Sequence, residues 1–228
     1  MIELPDNARL WGNAFDPSRL PETLRPALSR RVAAGLGWAA ELGCALWVSP
    51  DLGWAERLVD TTGAHRKWAP LRRDLWRNAD ETTTVLIAAP IGARNAVASI
   101  CVRHLWIEGT LSDALATGFG TNADGESIRF DGDLGRVADV GVAWACGLWR
   151  ADQLRGARIG AELVGLAALQ AVSQWPWSWL MGLRRQSAQD RLGLSPFRRL
   201  EAPCRTADTS DLMLVAASRA QVKAGVSE

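Results

Sequence analysis

The residues best placed to do chemistry gather in one stretch, Gly147-Leu148-Trp149-Arg150-Ala151-Asp152-Gln153-Leu154-Arg155-Gly156-Ala157-Arg158-Ile159-Gly160. An apolar run rich in Val and Trp leads into a short polar turn, and a long helical pattern opens at Arg158 and continues to Gln174. This spacing predicts a strand, a turn and a helix N-terminus. The first N–H groups of a helix lack intrahelical partners and carry the positive end of its dipole, so the junction can hold an anion. Gly156 and Gly160 let a ligand or a neighbouring strand approach the backbone, and Arg155 and Arg158 can add charge-assisted hydrogen bonds. Cations at a helix start are mildly unfavourable with respect to the dipole, which favours a ligand-binding reason for them. The chemistry implied is a pyrophosphate cradle.

Composition bounds what surrounds this stretch. The 228 residues are enough for a well-buried core, and 48% apolar with 22% charged residues is ordinary for a globular chain. A formal net charge of +1 gives no global attraction to nucleic acid or anionic membrane. The only local support for nucleic acid is the arginine clusters within 66–77 and 184–199, so that partner is disfavoured without being excluded. Cys44, Cys101, Cys146 and Cys204 lie far apart with no CxxC pair and only two histidines in the chain, so no metal site is expected. The first three sit in apolar surroundings and read as small buried hydrophobes in a reducing compartment. The start, Met1-Ile2-Glu3-Leu4-Pro5-Asp6, has neither a basic region nor an apolar signal core, and no run approaches a membrane span. The expectation is a cytoplasmic protein with no membrane partner. Twelve tryptophans stand beside no tyrosine at all, and most of those tryptophans fall in apolar strings that predict core positions.

The elements that must position the turn follow from periodicity. Leu24, Leu28, Val32, Leu36, Ala39 and Ala40 recur at helical spacing, with Gly43 as the cap. Cys44–Val48 reads as a buried strand, followed by helices from Trp54 to about Asp60 and across 66–78. Residues 83–89 and 96–107 read as an antiparallel hairpin. Residues 108–136 form a long glycine-punctuated loop with one short helix near Ser112–Ala116, and a loop of that length suggests function. The strand Val137–Trp149 and the helix Arg158–Gln174 come next. Then come Trp177–Leu183, a short helix near Ser187–Leu192, strands near Phe197–Leu200 and Leu212–Ala217, and a frayed tail.

This order, the Leu154-Arg155-Gly156-Ala157-Arg158-Ile159-Gly160 string and the later Ala188-Gln189-Asp190-Arg191-Leu192-Gly193-Leu194 resemble the GNAT superfamily of acyl-CoA-dependent N-acyltransferases. That family places Arg or Gln, two free positions, Gly, a free position and Gly or Ala after its fourth strand. Arg155 and Gly160 take the outer positions, Arg158 stands where the inner Gly is usual, and Leu192-Gly193-Leu194 matches the end of a later family motif in which Gln189 replaces Tyr. The likeness spans about residues 42–217. It implies an α/β fold with a mixed, mostly antiparallel central sheet flanked by helices. It also implies an N-terminal helical extension over 1–41, an acyltransferase domain over 42–217 and a flexible tail over 218–228. It further implies acetyl-CoA or another acyl-CoA as cofactor, with Arg155, Gly156, Ala157, Arg158, Ile159, Gly160 and Ala161 around the pyrophosphate. Leu148, Trp149 and Arg150 would form the edge that pairs with pantetheine beyond a bulge.

The activity so implied is transfer of an acetyl or longer acyl group to an amine of a small molecule or peptide. Such a reaction needs a neutral amine, a stabilised oxyanion and a proton for the departing thiolate. Glu108 and Asp139 are the carboxylates best placed as base, although each taken alone also reads as a strand-end surface acid. The family's usual proton donor is a tyrosine, which this chain lacks, so Ser187, Cys146 or water must substitute, or the thiolate leaves unassisted. His104 shares a face with Val102 and Trp106 and is expected half-buried. Ser178 and Cys204 have no His and Asp constellation, so a nucleophilic triad is not supported. Two alternatives stay open, an enzyme of the same fold acting on nucleic acid or aminoacyl-tRNA and a catalytically silent CoA- or partner-binding module. A homodimer is left open too.

Overall fold

The computed structural model describes residues 2–20, 22–62, 71, 81–117, 129–130, 136–154, 159–185, 200–205 and 212–227. Its strands are β1 (Arg9–Leu10), β2 (Cys44–Ser49), β3 (Thr83–Pro90), β4 (Ala98–Thr110), β5 (Arg129–Phe130), β6 (Ala138–Arg150), β7 (Trp179–Arg185), β8 (Leu200–Arg205) and β9 (Leu212–Ser218). The helices are α1 (Trp11–Ala14), α2 (Arg25–Glu41), α3 (Leu52–Thr62), α4 (Leu111–Thr117), α5 (Ile159–Gln174) and α6 (Arg219–Ser227).

Local chemistry accounts for the ends of these elements. α2 begins with Pro26 in its first turn, where a missing N–H costs nothing, and the chain leaves it through Gly43 at φ 67°. Asp51 caps α3, its Oδ1 accepting the Trp54 N–H at 2.8 Å. β3 is buried on both faces along nearly its whole length, as a strand covered by helices on each side must be.

The strands form one sheet in the order β1-β2-β3-β4-β6-β7-β9-β8-β5. Every neighbouring pair is antiparallel except β6 and β7, which run parallel and are joined through α5. The expected mixed, mostly antiparallel α/β sheet is therefore present. α2 and α5 pack on one face with Leu46, Leu86, Ile100, Val102 and Ala143. α3 packs on the other with Val85, Ile87, Ala89 and Cys101. The segment before α2 joins the sheet through β1, and Trp11 ties it to α5 by donating its indole N–H to Gln170 at 2.7 Å; Trp11, Phe15, Leu28 and Val32 are part of the core.

Several expectations change in detail. The loop expected over 108–136 contains the end of β4, all of α4 and the short strand β5, which pairs with β8. The strand expected near Phe197–Leu200 lies at Leu200–Arg205. The tail expected to fray is helical over Arg219–Ser227, because the Arg219 guanidinium donates to the carbonyls of Val172, Trp175 and Trp177 at 2.9–3.2 Å. The helices expected across 66–78 and 187–192 fall outside the described residues, apart from Leu71.

Candidate functional site

The site is a split between two parallel strands. β6 and β7 pair at Val142↔Trp179, Ala143↔Leu180, Trp144↔Met181 and Ala145↔Gly182. Past that last pair β7 follows β9, with Leu183↔Leu214 and Arg185↔Leu212, while β6 follows β4, with Cys101↔Cys146, Ser99↔Trp149 and Ala98↔Arg150. Among the described strands, Cys146–Arg150 therefore has a ladder on its β4 side alone. Such an edge suits an extended ligand with amide groups, which can add to it as a further strand.

Two glycines shape the split. A Cβ on Gly182 would sit 2.9 Å from the Ala145 carbonyl oxygen, so only glycine allows the two backbones to meet at the apex. Between Ser99↔Trp149 and Cys101↔Cys146, β6 uses one residue more than β4, a bulge at Gly147 and Leu148. Gly147 sits there at φ 60°, a conformation that glycine adopts without a steric penalty. The extra residue changes the alternation, so Leu148 joins the α5 side of the core and Trp149 the α3 side. The start of α5 closes in on the same place, because a Cβ on Gly160 would lie 3.3 Å from a Leu148 methyl. Ile159 and Ala161 on either side are buried.

Of the residues expected around the pyrophosphate, Arg155, Gly156, Ala157 and Arg158 lie outside the described residues, as does Ser187. Ile159, Gly160 and Ala161 open α5 beside the bulge, and Leu148, Trp149 and Arg150 lie on the split edge of β6. The structure brings these two groups together. Arg150 is exposed, and its Nη1 donates to the Leu154 carbonyl at 3.2 Å, so this side chain braces the strand-to-turn connection. Leu148 and Trp149 point their side chains into the two faces of the core, so the edge they offer is backbone.

Glu108 and Asp139 are brought together, but at the other end of β6. A second bulge separates Ile107↔Val140 from Thr110↔Ala138, Asp139 adopts φ 49°, and its Oδ1 accepts the Gly109 N–H at 3.0 Å. From there to Gly147 an extended strand covers roughly 26 Å. Asp139 thus braces this bulge, Glu108 is exposed beside it, and neither carboxylate stands at the split.

The chemical character of the split comes from three neighbours. Cys146 lies opposite Cys101, and burial, reinforced by that thiol and opposed by the charge of Arg103, pushes its pKa well up. A thiol so raised is a weaker acid than an ordinary thiol, which counts against Cys146 as the donor to a departing thiolate. Arg103 is 0% exposed and donates to Thr82 Oγ1 at 3.0 Å. Leu71 covers Gly147, with both methyl carbons 3.3 Å from where a Cβ would stand. Sequence reasoning missed Gly182 and Leu71, and it implied a bulge before Leu148 only through the resemblance, without assigning it to Gly147. A glycine inside an apolar strand was the available sign for Gly182, as it was for Gly147.

His104 is half-buried as expected and stacks on Trp175 with centroids 5.8 Å apart, away from the split edge. Among the described residues no group of three metal-ligating side chains occurs, and no helix is long and apolar enough to cross a membrane.

Comparison with known proteins gives little beyond this geometry. No protein-family model and no curated protein matches the chain. Sixteen chains of solved structures match, among them a CoA-dependent acyl-homoserine lactone synthase, BjaI, solved with SAM and isopentyl-CoA. It is 12% identical over 75% of each chain, with a TM-score of 0.41.

Proposed function

We propose that this chain is an acyl-CoA-dependent N-acyltransferase of the GNAT type that transfers an acetyl or longer acyl group to an amine of a small molecule or peptide. One observation carries the reading. Two parallel strands separate directly above a β-bulge, leaving a strand edge that ends at a helix N-terminus. Pantetheine carries two amides at peptide-like spacing and can join β6 along Cys146–Arg150 as an added strand. The pyrophosphate then falls at the start of α5, where Gly160 and Ala161, with Arg155, Gly156, Ala157, Arg158 and Ile159, supply amides and charge.

When bound, the thioester supplies an activated acyl carbonyl. The chain's own contribution is placement. Gly182 and Ala145 close the apex, and the bulge sets where the edge begins. Cys146, Leu71 and Trp149 give the α3 side an apolar lining. We assign the proton from the amine to water, because Glu108 and Asp139 lie at the far bulge. The departing thiolate leaves unassisted or with Ser187 as donor, which a thiol pKa near 8.5 permits. The missing tyrosine and distant carboxylates also suit a second reading, a module that binds CoA without turnover.

The test is binding of acetyl-CoA, read by melting temperature and by amide hydrogen exchange, in the wild type and in Gly160→Val. A rise in melting temperature that Gly160→Val removes supports the reading. No shift with any acyl-CoA sinks it. Transfer of label from acetyl-CoA to an amine panel then separates an enzyme from a silent module.

A further inference from the structure

Resting on the acyl-CoA reading, we infer that Leu71 caps the acyl end of the split and limits the donor to short acyl chains. Because β6 carries an extra residue at its bulge, Cys146 and Gly147 in succession face the α3 side, where a regular strand would present only one of them. Leu71 comes from outside the sheet, between α3 and β3, and its two methyl carbons rest directly over Gly147. It is 2% exposed and packs in the α3-side cluster with Cys101, Cys146 and Trp149.

Among the described residues, the apex and the α5 side of the split are closed. Toward the apex, the Ala145↔Gly182 pair brings backbone against backbone, with no room for even one carbon at Gly182. On the α5 side, Ala145 and Leu148 pack against the cluster that holds Ile159 and Leu163 of α5. Among the described residues, an acyl chain lying along β6 from the pyrophosphate end therefore meets the apex head-on and has one direction in which to grow, toward the α3 face. Leu71 occupies that direction. An acetyl or butyryl group ends before it, whereas a longer chain must displace a buried leucine and forfeit its packing.

The test is the affinity of CoA and of acetyl-, butyryl-, hexanoyl- and octanoyl-CoA for the wild type, Leu71→Ala and Leu71→Val, by titration calorimetry. The wild type is expected to bind acetyl-CoA at least tenfold more tightly than octanoyl-CoA. Leu71→Ala opens space on the α3 side and reverses the order, each buried methylene adding up to about fourfold. Leu71→Val moves the optimum the same way by less, and serves if the alanine variant does not fold. A wild type that binds octanoyl-CoA as tightly as acetyl-CoA overturns the inference. So does an unchanged chain-length profile in both variants, while CoA binding itself stands. Failure of the wild type to bind any of the five ligands overturns the acyl-CoA reading, and this one with it.

Discussion

At Gly182 one added methyl group would sit 2.9 Å from a backbone oxygen that belongs to the neighbouring strand and cannot swing aside. Gly182→Val is therefore expected to destabilise the fold by about 1–3 kcal/mol and to part β6 from β7 below the apex, which abolishes acetyl-CoA binding. Gly165 is the contrasting case. It lies inside α5 with nothing within 4 Å of where a Cβ would stand, so Gly165→Ala should raise stability by about 0.5–1 kcal/mol and leave binding intact. Urea unfolding of the two variants checks both signs. Equal effects would show that the close approach at the apex does not govern the split. Cys146 makes a related point, since its raised pKa suits it to lining the split and not to moving protons there.

Among the elements, β6 and α5 are legible in the sequence because each carries its own signal, a Val- and Trp-rich run before the turn and an apolar helical pattern after it. The hairpin β3–β4 is legible for the same reason. The split is not, because it depends on which strand lies beside β6, and β7 enters that place only after α5 has crossed the sheet. β8 is hidden by Pro203, which argues against a strand. In the sheet Pro203 stands opposite Met213 of β9, while β5 pairs only with Cys204 and Arg205. α6 looks like a frayed tail in the sequence because its order is tertiary in origin. Arg219 holds the Val172 carbonyl of α5 and two carbonyls of the α5–β7 connection, and it lies over the Trp177 ring, 5.3 Å from its centroid. Arg219→Ala is accordingly expected to cost about 2–4 kcal/mol and to speed amide exchange in both α6 and residues 175–178. Faster exchange confined to α6 would mean that the arginine does not brace the connection to β7.

For the molecule as a whole, the two halves of the sheet are joined at the short β6–β7 ladder, and His104 stands close to that junction. Its imidazole stacks on Trp175. Burial lowers its pKa, the Pro176 carbonyl beside it pulls the other way, and the charge of Arg219 adds to the lowering. The folded state thus binds this proton less readily than the unfolded chain. Stability is complete above the unfolded value of about 6.5 and falls as pH drops from there toward the lower folded pKa. His104→Gln should remove that dependence from a series of urea midpoints between pH 7.5 and 5, and a slope unchanged in the variant would assign it to another group. In the proposed function the split edge of β6 takes the amides of an acyl-CoA and the start of α5 its pyrophosphate. Acetyl-CoA at a hundredfold excess over its dissociation constant should stabilise the wild type by about 2.7 kcal/mol, a rise of roughly 5–10 °C in melting temperature. It should slow amide exchange at Cys146–Arg150 and at the first turn of α5, and Gly160→Val should lose both effects. An unchanged melting temperature, or protection confined to other strands, would rule out this binding mode.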